Sequence, residues 1–209
     1  MKLEDWLYLF YFPIVSEFGY SVAEDASSAK TLADVAKLEK YEVLRIFEGK
    51  KVFVVGNAPG RGIEIENDDI DDRIVVTAGK TIITYDHKID VHVTDLDEGF
   101  KEVCKAADIA KILIVHAHGD NEELVREYTP SLGKIVGTTQ FLPFERVYNF
   151  GGFTDGDRAA LIANSFGGQV ELVNFRFDTA ESYLKLMKMK WAKKILEFEG
   201  ILTHRRYPG

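Results

Sequence analysis

The sequence predicts an α/β protein, an open and mostly parallel sheet flanked by helices, with a helical appendage at its N-terminus. Three observations carry this. Apolar runs such as Val52-Phe53-Val54-Val55 and Ile112-Leu113-Ile114-Val115 lack polar alternation, so they read as strands buried on both faces. Helical periodicity separates several of these runs, which is the pattern of βαβ units. Most runs stop at polar elbows containing Gly, Asp, His, Asn or Thr, and parallel strands gather such ends on one edge.

The 209 residues, 46% of them hydrophobic, suffice for one sizeable core. A formal net charge of -8 argues against a nucleic-acid footprint. The single cysteine, Cys104, excludes an intrachain disulfide framework and a multi-Cys zinc site. It reads as a buried, inert thiol and fits a reducing, cytoplasmic compartment. The aromatic stretch 6–15 is far shorter than the roughly 20 apolar residues a membrane span takes. Lys2 is countered by Glu4 and Asp5, which fits a signal peptide poorly. The stretch is expected to be a short helix laying its aromatics on the body of the protein.

In chain order, residues 1–48 are the appendage. Asp25, Ser27 and Ser28 offer helix start signals, Leu32, Val35, Ala36, Val43, Ile46 and Phe47 recur at helical spacing, and Gly49 is a C-cap. No chemistry is assigned to this part. Residues 49–209 form the α/β catalytic domain, with strands expected at 52–55, 74–77, 89–93, 112–115, 135–136 and 170–175. Helices are expected at 100–110, 122–128 and 158–166, and the acidic stretch 63–72 reads as a solvated loop or short exposed helix. A last helix over 179–198 carries a core stripe of Leu184, Met187, Trp191, Ile195 and Phe198 and ends at Gly200. Its five lysines between Lys185 and Lys194 form a solvated face from which one or two could reach a phosphate. The tail 204–207 is expected on the surface.

Among the elbows, Asp95 and Asp97 follow the run at 89–93 at a spacing that puts both carboxylates on one side. Two carboxylates there suit Mg²⁺, a hard cation that also takes phosphate oxygens. The rival reading is helix capping, with Asp95 as N-cap and Glu98 at N3. His116, His118, Asp120 and Asn121 end the next strand. The alternating histidines share a face, yet no third protein ligand completes a zinc pattern, and Asp120 with Glu123 also fits a cap. Gly56 and Asn57 open a turn suited to phosphate that matches neither a dinucleotide fingerprint nor a Walker A loop. Gly79-Lys80-Thr81 has only the last letters of the latter. Thr138, Thr139 and Gln140 suit a nucleobase, ribose or phosphate. Gly151 and Gly152 allow a ligand near the backbone, Thr154 with Asp157 has the form of a capping box, and Arg158 offers a planar donor fork beside Asp155.

Taken together, Val55-Gly56-Asn57-Ala58-Pro59, Thr94-Asp95-Leu96-Asp97, His116 to Asn121, Gly137 to Gln140, Asn149 to Arg158 and the lysine-rich run at 188–194 resemble the archaeal 6-hydroxymethyl-7,8-dihydropterin pyrophosphokinase family. That family is related to the catalytic domain of thiamin pyrophosphokinase, and the resemblance spans about residues 52–197. It implies transfer of pyrophosphate from ATP to the pterin hydroxymethyl group, with release of AMP and with Mg²⁺ as cofactor. It also implies Asp95 and Asp97 as metal ligands, Asp120 as a third ligand or orienter, and His118 near phosphate or substrate. His116 would be structural, Lys80 would lie near ATP phosphates, and Asp155 or Asp157 would meet the pterin amide edge. Two departures stand out. The family's Ala-Asp-Gly-Ala is Thr77-Ala78-Gly79-Lys80 here, and Glu98 replaces a glycine that commonly follows the paired aspartates. The rival readings are a pyrophosphokinase for another heterocyclic alcohol, thiamin included, and a non-catalytic nucleotide- or pterin-binding module. The expected partners are ATP and a small heterocyclic alcohol, with no nucleic acid and no membrane, and homo-oligomerisation is left open.

Overall fold

The computed structural model describes residues 1–58 and 72–202. Pro59 and the rest of its turn, the stretch 63–71 and the tail 204–207 lie outside the described residues. The chain opens with α1 (Leu3–Asp5), a π-helical stretch (Trp6–Tyr11), α2 (Phe12–Phe18) and α3 (Val22–Val35). Ser21 caps α3 by accepting from the Glu24 amide. The helix therefore starts before Asp25, Ser27 and Ser28, and Asp25 falls one turn inside it, buried rather than capping.

The sheet is built from β1 (Lys37–Leu38), β2 (Lys51–Val55), β3 (Ile74–Ala78), β4 (Val91–Thr94), β5 (Ile112–Ala117), β6 (Lys134–Thr139), β7 (Val147–Tyr148) and β8 (Gln169–Val173). The helices along it are α4 (Thr81–Thr84), α5 (Phe100–Ile109), α6 (Glu122–Tyr128), α7 (Asp155–Ser165) and α8 (Tyr183–Phe198). The strand order is β1-β6-β5-β4-β3-β2-β8, with β7 also on β6, and every strand pair is parallel. All six expected strands are present. The additional β1 and β7, two residues each, are too short to leave a periodic signal.

From β2 to β6 the chain steps steadily across the sheet, then returns through α7 to place β8 beside β2. Right-handed crossovers put helices of a forward walk on one face and that of the return on the other. Accordingly, Val103 and Ala106 of α5 and Val125 of α6 pack with Phe53, Val55, Val75, Leu113 and Val115. Ala159 to Ala163 of α7 and Ile195 and Leu196 of α8 pack with Val52, Val54, Val76, Val91, Val93 and Ile114. Successive residues of each strand thus feed opposite cores, which is why the strands read as unbroken apolar runs.

Residues 1–48 enter both cores. Trp6, Phe10, Tyr11 and Ile14 join the α7 side, and Ala29 and Leu32 join the α5 side. With β1 paired to β6, this segment wraps an edge that would otherwise expose unpaired backbone. The core stripe of α8 differs from expectation. Ile195 is buried with Ala192 and Leu196, whereas Leu184 and Phe198, towards the two ends of the helix, are about half exposed. Cys104 is only partly buried and packs at the margin of the α5 core. Among the described residues no helix is long and apolar enough to cross a membrane.

The approach to α7 is the tightest turn near the sheet edge. Gly152 has φ 98°, and a Cβ there would stand 2.4 Å from the Arg158 Cα. Gly19 has φ 69° but open space around it. Gly19→Ala should therefore cost about 1 kcal/mol from backbone strain alone. Gly152→Ala should cost about 3 kcal/mol, because packing must also yield. Urea unfolding of the two variants checks this, and equal losses would refute the packing argument.

Candidate active site

At the end of β4 the chain turns sharply through Leu96, whose φ of 73° is unusual outside glycine. Its amide donates to Thr94 Oγ1 (2.7 Å), and its side chain is buried in the α5 core. This turn brings carboxylate oxygens of Asp95, Asp97 and Glu98 within 4.8 Å of one another. Neither Asp95 nor Glu98 caps the following helix, since α5 begins only at Phe100 after Gly99. Asp95 instead accepts from the Asp97 amide (3.3 Å). Glu98 is fixed from beneath: His92 Nε2 lies 3.0 Å from its Oε1 and Thr94 Oγ1 donates to its Oε2 (2.7 Å). The other His92 ring nitrogen lies 2.8 Å from Thr77 Oγ1.

The neighbouring strand ends brace this turn. Asn121 is buried, and its amide donates to the carbonyls of Asp95 (2.7 Å) and His116 (2.8 Å). Its oxygen accepts from the His118 amide and from Ser28. Asn121 thus clamps β4 to β5, and Asp120 does not cap α6 but stands exposed on the rim. His118 Nε2 lies 3.7 Å from Asp95 Oδ2. His116 is buried against Thr138, its Nδ1 3.1 Å from the hydroxyl, and burial, then the charges of Arg158 and His118, push its pKa well down. Thr138 also donates to the Val115 carbonyl, Thr139 is buried beside it, and Gln140 donates to Asp25.

On the other side, Gly56 is packed on Phe175 and Asn57 is exposed. Gly79 faces Asp155, since a Cβ there would stand 2.8 Å from Asp155 Oδ2. Lys80 Nζ pairs with Asp97 Oδ2 at 3.0 Å, so it stands at the same edge as Asp95. The anticipated capping box forms: Asp157 accepts from the Phe153 and Thr154 amides and from the Thr154 hydroxyl. Gly151 and Gly152 make room for Leu161 and Arg158 respectively. Arg158, almost fully buried, donates to Asp155 (2.9 Å) and to the Gly152 carbonyl (3.3 Å).

The charges respond to this crowding. Burial pushes Asp95 upward, but His118 and then Arg158 outweigh it and hold its carboxyl at about 2. Burial and the charge of Asp95 raise Asp97 against the pull of Lys80. Burial and Asp95 likewise raise Asp155 well above the usual range. A cavity of about 50 Å³ opens beside Asp95, His118, Asp120, Gln140 and Arg158. Its other wall was not expected: Tyr20, Ser21, Glu24 and Asp25 come from the N-terminal segment, Phe153 from the α7 approach and Lys188 from α8. Asp25 accepts from Tyr11 (2.7 Å), Gln140 (2.9 Å) and the Gly119 amide (2.8 Å), tying α3 to both strand ends. Only the lysine run and the stretch 149–158, which contains Phe153, gave a sequence signal for this wall. Tyr20 and Glu24 carry no motif.

Residues 27–170 match the family model described as MptE-like, 6-hydroxymethylpterin diphosphokinase MptE-like. The chain belongs to this MptE-like family. Among curated relatives, it is similar to a 6-hydroxymethyl-7,8-dihydropterin pyrophosphokinase of Pyrococcus furiosus, at 36% identity over 95% of this chain and 94% of that protein. Proteins of the same name from Methanothermobacter thermautotrophicus (33% identity; 85% of this chain, 79% of that protein) and Methanocaldococcus jannaschii (28%; 95% of each) are also similar. The span matched to the MptE-like family contains the carboxylate turn, both histidines, Asn121 and Arg158, while Tyr20, Glu24 and Lys188 lie outside it.

The Asn121 clamp is testable. Asn121→Asp keeps the shape but sets a carboxylate oxygen against two carbonyls, leaving both unpaired. Stability at neutral pH should fall by about 2 kcal/mol or more. An unchanged denaturation midpoint would show that the clamp is not what holds β4 to β5.

Proposed function

We propose that the chain transfers the pyrophosphoryl group of ATP to the hydroxymethyl group of 6-hydroxymethyl-7,8-dihydropterin, giving AMP and the pterin diphosphate. The observation that carries this reading is the carboxylate turn of Asp95, Asp97 and Glu98 at the sheet edge of a chain in this family. The donor set fits Mg²⁺. Its oxygens are hard ligands, and a cation there favours the charged carboxylates that burial and then the charge of Asp95 disfavour at Asp97 and Asp155. Asp95, Asp97 and Glu98 would hold the ion, with Asp120 as an outer contact at the rim. The chemistry it supplies when bound is neutralisation of charge on phosphate oxygens.

The chain's own residues position and polarise. The hydroxyl proton leaves to solvent as the alcohol oxygen bonds to the β-phosphorus, and His118, whose Nε2 stands in the cavity 3.7 Å from Asp95, donates to the phosphate oxygens. The bond from that phosphorus to the α,β-bridging oxygen breaks, and AMP leaves with the oxygen. Asn57 and Lys80, exposed at the strand ends, face the nucleotide phosphates. Catalysis of this kind is mainly positioning and electrostatics.

An assay of AMP release with ATP, Mg²⁺ and a panel of alcohols tests the assignment, and the pterin alcohol should be the preferred acceptor. Asp97→Asn should lower turnover by orders of magnitude with little change in unfolding, because Asp97 is half exposed. A near-normal rate would remove it from the metal site. Lys80→Ala should raise the apparent KM for ATP a few-fold, roughly the effect of one partly screened charge, and the difference should shrink at high salt. A salt-independent change would point to altered packing instead.

A further inference from the structure

The cavity has one wall that the carboxylate turn does not require. Tyr20 and Phe153 present aromatic surface, their centroids 6.3 Å apart, and the Lys188 ammonium lies 5.7 and 5.6 Å from the two rings. Arg158, though almost fully buried on the cavity lining, leaves its Nε–H without a partner among the described residues. The carboxylates of the lining differ in their engagements. Asp25 is held by Tyr11, Gln140 and Gly119, and Asp95 by His118 and the metal turn. Asp120 stands exposed on the rim, where it is assigned as an outer contact of the metal. Glu24 remains. Its side chain folds over Gly119, where a Cβ would stand 2.7 Å from the Glu24 Cβ, and it lines the cavity.

We infer that this cavity receives the heterocyclic ring of the acceptor and that Glu24 accepts from the ring's adjacent N–H donors. The inference rests on the proposed pterin reaction. A pterin presents an amino group and a ring N–H side by side, a pair that one carboxylate can accept together, and a carbonyl next to them that needs a donor. Glu24 supplies the first and the unpartnered Arg158 Nε–H the second, while Tyr20 and Phe153 cover apolar ring surface. Asp95 lines the same cavity, so a ring held there brings its hydroxymethyl group to the carboxylate turn. The space of about 50 Å³ holds only a few waters, so seating the bicyclic ring requires the Lys188 side chain to move off the two rings.

The test uses the full chain and its Glu24→Gln variant, with two acceptors: the pterin alcohol and its analogue bearing an oxo group in place of the 2-amino group. Dissociation constants come from fluorescence titration, and KM and kcat from AMP release. Glu24→Gln should weaken pterin binding about tenfold or more, the scale of a hydrogen bond to a charged group. It should leave the Kd for ATP unchanged and abolish the preference for the pterin over the oxo analogue. A variant that binds the pterin as tightly as the parent overturns the inference. A loss of ATP affinity of equal size does so as well, by indicating a general structural role. If the parent chain releases no AMP with the pterin, the reaction itself is wrong and the inference falls with it.

Discussion

Repulsion among carboxylates at the end of β4 is the constraint around which the site is arranged. Asp95, Asp97, Glu98 and Asp155 converge there, and the charge of Asp95 is felt by both Asp97 and Asp155. Such a cluster does not persist unless its members are held. Each has a partner: Asp95 has His118, Asp97 has Lys80, Glu98 has His92 and Thr94, and Asp155 has Arg158. The partners come from four different segments, β4, the ends of β3 and β5, and α7, so the cluster's geometry reports on the whole sheet edge.

The arrangement separates a rigid floor from a more exposed wall. Asn121 ties the backbones of β4 and β5, and His92 and Thr77 stand buried beneath Glu98. Buried, fully bonded polar groups of this kind specify one geometry, because any shift leaves a group unpaired in a medium of low polarity. The opposite wall is made of Tyr20, Glu24 and Lys188, which are at least partly exposed. Chemistry needs the first property, whereas ligand entry needs the second.

Lys80 bears on residues 77–80, where the resemblance implies an acidic residue and Ala78 stands instead. An acidic residue at Ala78 would have added another negative charge to a crowded edge. Here Asp155 occupies the space against Gly79, and Lys80 contributes a compensating cation through Asp97. Thr77, the first residue of the altered stretch, supports His92 and so reaches Glu98 indirectly.

The sequence alone determined the sheet and the edge at which its polar elbows gather. Unbroken runs such as 52–55 and 112–115 are apolar because both faces of a parallel strand are covered, and that demand is local enough to read. The capping box of Thr154 and Asp157 was legible for the same reason, since its partners are three residues apart. Nothing local marks β1 or β7, and the competing capping reading of Asp95 was settled only by the buried left-handed turn at Leu96. Tertiary structure alone decided that residues 1–48, which carry no motif, would line the cavity. Asp25 reaches Gln140 across 115 positions of sequence and Gly119 across 94. Contacts at such separation leave no periodicity or spacing in the chain, because they are fixed by how the two cores close around β6.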